Sequence, residues 1–229
     1  MAQTGFFHHI GSFLLFAATV LLIITCISAP VVNDIGLMKV DLGNQNANDH
    51  AYVVFGMWGY CTKNVDGDGF QCSPTKLGYS PADVMHKVEG TDFSDYAKST
   101  TDSLTKAMIL HPIACAANFI AFMLGLGAGF VGSFLASVVA LVAFLITCVV
   151  LIIDFVLFSI VRSNISDDGQ GSDAHYSTAA WTILVSGICS LLGTILLFLT
   201  CCSGRMHRRR TTTVDKAELG YAPRRRRWF

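Results

Sequence analysis

Charge is what this sequence lacks. Only 14% of its 229 residues are Asp, Glu, Lys or Arg, against about 25% in a soluble domain. With 52% hydrophobic residues and a mean hydropathy of +0.52, an ordinary soluble domain is excluded. The signatures of catalysis are missing too. There is no Gly-rich phosphate loop, no His/Cys metal spacing and no helical His-x-x-x-His pair, the short patterns that carry those chemistries. The carboxylates of the polar segments are scattered without visible pairing. No enzyme activity, cofactor, metal site or nucleic-acid partner is therefore expected. The apolar blocks hold one acid, Asp154, and no Lys or Arg. No pair of broken helices marks a midplane substrate site, which argues against transport.

What charge there is lies unevenly. Formal net charge is zero, yet Ser203–Phe229 carries nine Lys/Arg and two acids, while Pro30–Met108 carries six Lys and ten acids. The apolar residues fall into blocks that suit a membrane, where about 20 residues of helix cross the roughly 30 Å hydrocarbon core. A first span is predicted over Ile10–Ala29, after a short N-terminus of residues 1–9. Its length, the absence of Lys or Arg before it and Pro30 directly after it separate it from a cleaved signal peptide. Leu110–Ile160 is too long for one span and suits two. The glycines Gly125, Gly127, Gly129 and Gly132 place the turn over 127–132, since glycine permits turn geometry. Spans two and three are then Ile109–Leu126 and Ser133–Ile160, and span four is Ala179–Cys202. Span three, at 28 residues, reaches about 42 Å and should tilt or protrude. Residues 30–108 and 161–178 form two loops on one side, and 203–229 forms a basic tail on the other. The arginines Arg205, Arg208, Arg209 and Arg210, with Arg224, Arg225, Arg226 and Arg227, mark the tail side as cytosolic by the positive-inside rule. Both termini are expected in the cytosol and the first loop outside.

That loop reads as folded. Ile35–Leu42 alternates loosely as a strand would, and Ala51–Tyr60 is a strand run rich in Tyr, Val, Phe and Trp. Gly69–Ser73 is its predicted partner across a turn at Asp66–Gly69. Cys61 and Cys72, eleven residues apart, suggest a disulfide, which requires an oxidising compartment. Ser80-Pro81 reads as N-cap and first helical residue, with amphipathic helix leading on to Met108.

The run Gly56-x-Trp58-x-x-Cys61 followed by Cys72, in the first outer loop of a four-span chain, resembles the claudin-type signature. The wider context is more similar to the fungal PalI family, which includes pH-response PalI and eisosome-associated tetraspan members. The residues that carry this are Ile27-Ser28-Ala29-Pro30-Val31, Phe55-Gly56-Met57-Trp58-Gly59-Tyr60-Cys61, Cys72-Ser73 and Leu77-Gly78-Tyr79, within about Phe6–Gly204. The resemblance implies a mainly α, claudin-like four-helix transmembrane bundle topped by a small disulfide-bridged extracellular β-sheet. It also implies a non-enzymatic plasma-membrane protein that assists an ambient-pH sensor or organises membrane domains and the cell wall.

Particular residues can be weighed against plain readings. Trp58 and Tyr60 are a candidate partner-binding edge, although packing of Trp58 on the disulfide or at the membrane interface is the simpler reading. Asn64, Asp66, Asp68 and Gly69 match half of a calcium loop, but Thr75 stands where such a loop needs Glu, so a hairpin turn is preferred. Asp154 is an intramembrane acid and so a candidate functional site. Arg162, His111 or an outer-loop backbone group could partner it. His50, His86, His111 and His175 are unclustered and read as surface histidines. Asn164-Ile165-Ser166 is a glycosylation sequon in the second outer loop, too close to the membrane for efficient use. Cys201 and Cys202 at the inner boundary are candidate palmitoylation sites. The tail arginines and the terminal Trp228-Phe229 suit anionic inner-leaflet lipid.

These readings make the chain a scaffold or chaperone of another multispan membrane protein, either a pH receptor or a cell-wall synthase, or else a self-associating protein. Alternatives are an organiser of eisosome-type domains, an accessory subunit of a membrane enzyme, and a claudin-like adhesion or pore element. A pore needs a charged outer strand face, and Ala51–Tyr60 carries no charge.

Overall fold

The computed structural model describes residues 6–43, 51–65, 69–127, 130–167, 169 and 171–219, with Phe130, Val131 and everything beyond Cys201 as backbone only. The elements run α1 (Phe6–Cys26), β1 (Met38–Asp41), β2 (Tyr52–Phe55), β3 (Tyr60–Lys63), β4 (Phe70–Cys72), α2 (Pro81–Glu89), α3 (Asp95–Ala107), α4 (Leu110–Leu126), α5 (Phe130–Asp167), β5 (Asp173–Tyr176) and α6 (Thr178–Leu219).

Four helical stretches are long and apolar enough to cross a membrane, within 6–26, 95–126, 132–167 and 178–201. Their outward surfaces are unsuited to water, with Ile120 and Ile188 each 51% exposed and Leu145 54%. The chain is a multi-pass membrane protein. In hydrocarbon there is no hydrophobic drive between helices, so packing and interhelical polar contacts hold the bundle. Small residues permit close approach. A Cβ on Gly125 would lie 2.8 Å from Ser12 Oγ, and one on Gly193 would lie 3.0 Å from Gly11 O. Polar contacts cross every seam. Asn118 donates to Thr147 at 3.2 Å and accepts from Ser190 at 2.9 Å. Ser186 donates to Ala18 O at 3.0 Å.

α5 has 38 residues, about 57 Å of helix, ten residues longer than the span read from sequence. As expected it protrudes, and the protruding end is covered. Leu157, Phe158, Val161 and Ile165 join one core with Met38, Val40, Val53 and Phe55 of the sheet, Val84 and Met85 of α2, and Ile183 of α6. Asn164 accordingly lies in this helix, not in a loop, and its amide donates to Ile160 O at 2.8 Å. α6 likewise continues through the expected boundary at Cys202 to Leu219.

The sheet is five-stranded in the order β4-β3-β2-β1-β5, antiparallel at each pairing. It corrects two readings. The predicted strand Ala51–Tyr60 is two strands, because the chain reverses over Gly56–Gly59 with Gly56 N–H donating to Gly59 O at 2.8 Å. The sheet, read as part of the first outer loop, also takes in β5 from the second, paired with β1 so that Met38 lies opposite Tyr176. Other readings hold. Ser80 caps α2 through Asp83 N–H at 3.3 Å, with Pro81 first in the helix. Cys61 and Cys72 are directly opposed across β3 and β4 and are disulfide-bonded.

β4 has every residue exposed, so it has little packing to hold it. The bridge closes a loop of about a dozen residues, which contributes about 3 kcal/mol in the chain-entropy model. A Cys61→Ser, Cys72→Ser variant should lose β4 first. Amide exchange over residues 69–73 should rise at least tenfold while that of β1 and β2 changes little.

Candidate functional site

The family-like residues converge on the end of α1. A helix leaves its last carbonyls without intrahelical partners, and at a membrane boundary those groups need satisfaction. Here the Gly56–Gly59 turn supplies it. The Trp58 indole Nε1–H donates to Cys26 O at 3.0 Å, and Trp58 N–H reaches Ala29 O at 3.4 Å. Met57 N–H donates to Ser28 Oγ at 3.0 Å, and Ala29 N–H donates to Ile35 O at 2.8 Å. This is why α1 stops at Cys26, three residues short of the sequence expectation: Ser28 and Ala29 are held by the turn. Gly56 sits so close that a Cβ there would lie 2.2 Å from Ala29 O. Trp58 thus serves the helix end. Its side chain belongs to the edge of the main core.

A second tier fastens the turn from above. Ser73 Oγ accepts from Tyr60 N–H at 3.1 Å, and Lys76 N–H donates to Trp58 O at 2.8 Å. Asn33 Oδ1 lies 3.3 Å from Cys72 Sγ. Tyr79 donates its phenol to Gly56 O at 2.8 Å and stacks on Phe55 with centroids 6.3 Å apart. Tyr60 leans on both rings. Burial pushes the Tyr79 phenol well above its ordinary range, and the charge of Asp154 adds to the effect. Gly78 adopts φ +72°, and a Cβ there would meet Lys106 Cγ at 2.6 Å. Thr105 on α3 donates to Tyr79 O at 2.8 Å.

Below Tyr79 lies Asp154. Of the three partners left open by sequence, the structure selects His111, whose Nε2 is 3.0 Å from Asp154 Oδ2. The side chains are 1% and 3% exposed. This pair joins α4 to α5 beneath the sheet. His111 is therefore a core residue, correcting the surface reading. His86 and His175 are surface residues near Asp92 and Asp41, and His50 lies outside the described residues.

The remaining candidates are not brought together. Asn64 adopts φ 54° and accepts from Gly69 N–H at 3.1 Å, in keeping with a turn, while Asp66 and Asp68 lie outside the described residues. Cys201 is half-buried near the end of the apolar part of α6. The side chains of Cys202, Arg205, Arg208, Arg209 and Arg210, and all of Arg224–Arg227, lie outside the described residues. Among the described residues, no three His, Cys, Asp or Glu side chains gather as a metal site. Sequence reasoning missed Thr105, and it named Ser28 and Ser73 only as motif members without their bonding roles, because the partners of these hydroxyls lie elsewhere along the chain.

Trp58→Phe keeps the ring and removes the bond to Cys26 O. Detergent-solubilised protein should lose about 1 kcal/mol, read as a lower melting temperature. Gly56→Ala places a methyl against the Ala29 backbone and should sharply reduce the yield of folded protein in size-exclusion chromatography.

Comparison with known proteins matches this architecture. The chain is 31% identical over 180 residues to the pH-response regulator protein palI/prr-5 of Neurospora crassa, covering 78% of this chain and 23% of that protein. It is 28% identical over 155 residues to the pH-response regulator protein palI/RIM9 of Pyricularia oryzae, covering 63% of this chain and 19% of that protein. The chain thus spans less than a quarter of the length of these relatives. A sequence model of the SUR7/PalI family matches residues 7–193, from the start of α1 through most of the apolar part of α6, and the chain belongs to that family.

Proposed function

We propose that this chain is a non-enzymatic accessory protein of the plasma membrane that scaffolds or chaperones another multispan membrane protein acting in the response to ambient pH. The observation that carries the reading is the extent of the family match. It covers the sheet, the α1 clasp, the first three spans and most of the fourth, and two relatives that are 31% and 28% identical are named as pH-response regulators. In this reading the disulfide-bridged sheet faces outward and both termini lie in the cytosol. The disulfide, which needs an oxidising compartment, and the arginine-rich tail, which the positive-inside rule places inside, support that orientation.

Co-purification in mild detergent tests the proposal. A multispan pH receptor recovered with the chain, and mislocalised when the chain is deleted, is the expected result. Recovery of a cell-wall synthase would favour a role in wall deposition. Self-association alone would overturn the scaffold reading.

The tail is proposed to bind anionic inner-leaflet lipid. Basic residues near such a surface contribute about 1 kcal/mol each, and Arg224–Arg227 lie more than twenty residues beyond the apolar part of α6, farther than topology requires. A peptide of residues 203–229 should bind vesicles containing phosphatidylserine. Arg224–Arg227→Ala should weaken that binding at least tenfold in a sedimentation assay.

A further inference from the structure

We infer that His111 and Asp154 form a proton-binding site that locks α4 to α5, and that alkaline loss of its single shared proton releases the lock. The inference rests on the geometry of the pair and is independent of which partner the protein serves.

The proton count follows from the hydrogen bonds. His111 Nδ1 lies 3.0 Å from Met108 O. A carbonyl oxygen only accepts, so Nδ1 must carry a hydrogen. Nε2 faces Asp154 Oδ2 at 3.0 Å, and this contact is a hydrogen bond only when one proton lies between the two atoms. That proton resides on Nε2, giving an imidazolium and a carboxylate, or on Oδ2, giving an imidazole and a carboxylic acid. Both arrangements are neutral overall and both hold. Without the proton, a carboxylate faces a nitrogen lone pair.

The surroundings offer that carboxylate no relief. His111 is 0% and Asp154 2% exposed. Asp154 Oδ1 is buried with no hydrogen-bond partner among the described residues, so His111 is the carboxyl group's hydrogen-bonding neighbour there. A buried charge left without a partner is strongly destabilising. The other titratable groups on the packed elements do not replace the proton. Tyr79, on the loop before α2, already donates its phenol to Gly56 O. α1 brings Cys26 alone to this end, and the apolar part of α6 carries no Asp, Glu, Lys or Arg. On α3 the groups are Asp95, Tyr96, Lys98, Asp102 and Lys106, on α5 Cys148, Arg162 and Asp167, and on β5 Asp173, His175 and Tyr176. None of them is hydrogen-bonded to the pair, whose contact is with each other.

The pair also sits where opening would propagate. Met108 closes the junction between α3 and α4, and its carbonyl accepts from both the His111 ring and His111 N–H at 3.0 Å. Met108 is itself a buried member of the core beneath the sheet. Freeing His111 therefore loosens the α3–α4 junction together with the α4–α5 seam.

Amide exchange of the purified full chain in lipid nanodiscs, followed by mass spectrometry from about pH 6 to about pH 10, tests the inference. After correction for the intrinsic pH dependence of exchange, opening at residues 108–114 should rise by up to tenfold per pH unit once the proton is lost, as release of one proton requires. Opening in the middle of α1 should stay flat. Asp154→Asn supplies an amide that donates permanently to the imidazole lone pair, so it should keep α4 closed and abolish the pH slope. A flat wild-type profile at residues 108–114 would overturn the inference, and so would an Asp154→Asn slope equal to that of wild type. If Asp154→Asn fails to fold, the wild-type profile decides alone.

Discussion

The carbonyls at the end of α1 set the terms for the rest of this molecule. A helix emerging from hydrocarbon must have its last acceptors met; amides close in sequence serve Ile23 and Thr25, and the carbonyls of Cys26 and Ala29 are left to a distant partner. They are met by a turn some thirty residues on, whose indole and backbone reach Cys26, Ser28 and Ala29. That requirement explains why a glycine stands at position 56, why the strand run is split, and why a Trp sits at a tip that faces the bundle. Once the turn is seated, β2 and β3 have their direction, and the sheet is fixed relative to the first span.

Everything above the membrane then rests on two supports. One is α1 through this turn. The other is the protruding end of α5, whose apolar residues form the floor of the sheet. Tyr79 links them, being hydrogen-bonded to the turn on one side and lying within electrostatic reach of Asp154 on the other. The disulfide belongs to a different task. It secures the exposed outer strand β4, which has little core of its own, and leaves the clasp to hydrogen bonds and packing.

The parts legible in sequence are those governed by local composition. Each span could be read because its apolar length matches a bilayer, and the break before Phe130 because glycines cluster there. Ser80-Pro81 announced its helix by cap chemistry. What could not be read depends on contacts between distant residues. Gly56–Gly59 looks like strand interior until Ala29 is placed against it. β5 is four residues, Asp-Ala-His-Tyr, with no apolar run, and becomes a strand only because β1 offers a free edge. Asp154 stood out as an acid in an apolar helix, but choosing His111 over Arg162 requires the rotation of α5 against α4, which periodicity in a uniformly apolar span does not supply. Asn164 reads as loop when the span is ended at the membrane surface, whereas the sheet shelters another two turns of helix.

The pairing of β1 with β5 has a consequence for biogenesis. β1 occupies residues 38–41, while its outer neighbour is residues 173–176, beyond the third span. During synthesis the middle of the sheet can form early, yet the far edge of β1 stays open until three transmembrane helices have been inserted in the correct orientation. An incompletely inserted chain thus displays an unpaired strand edge. Such an edge is a template for pairing with another chain, and β5 removes it by closing the ladder on β1.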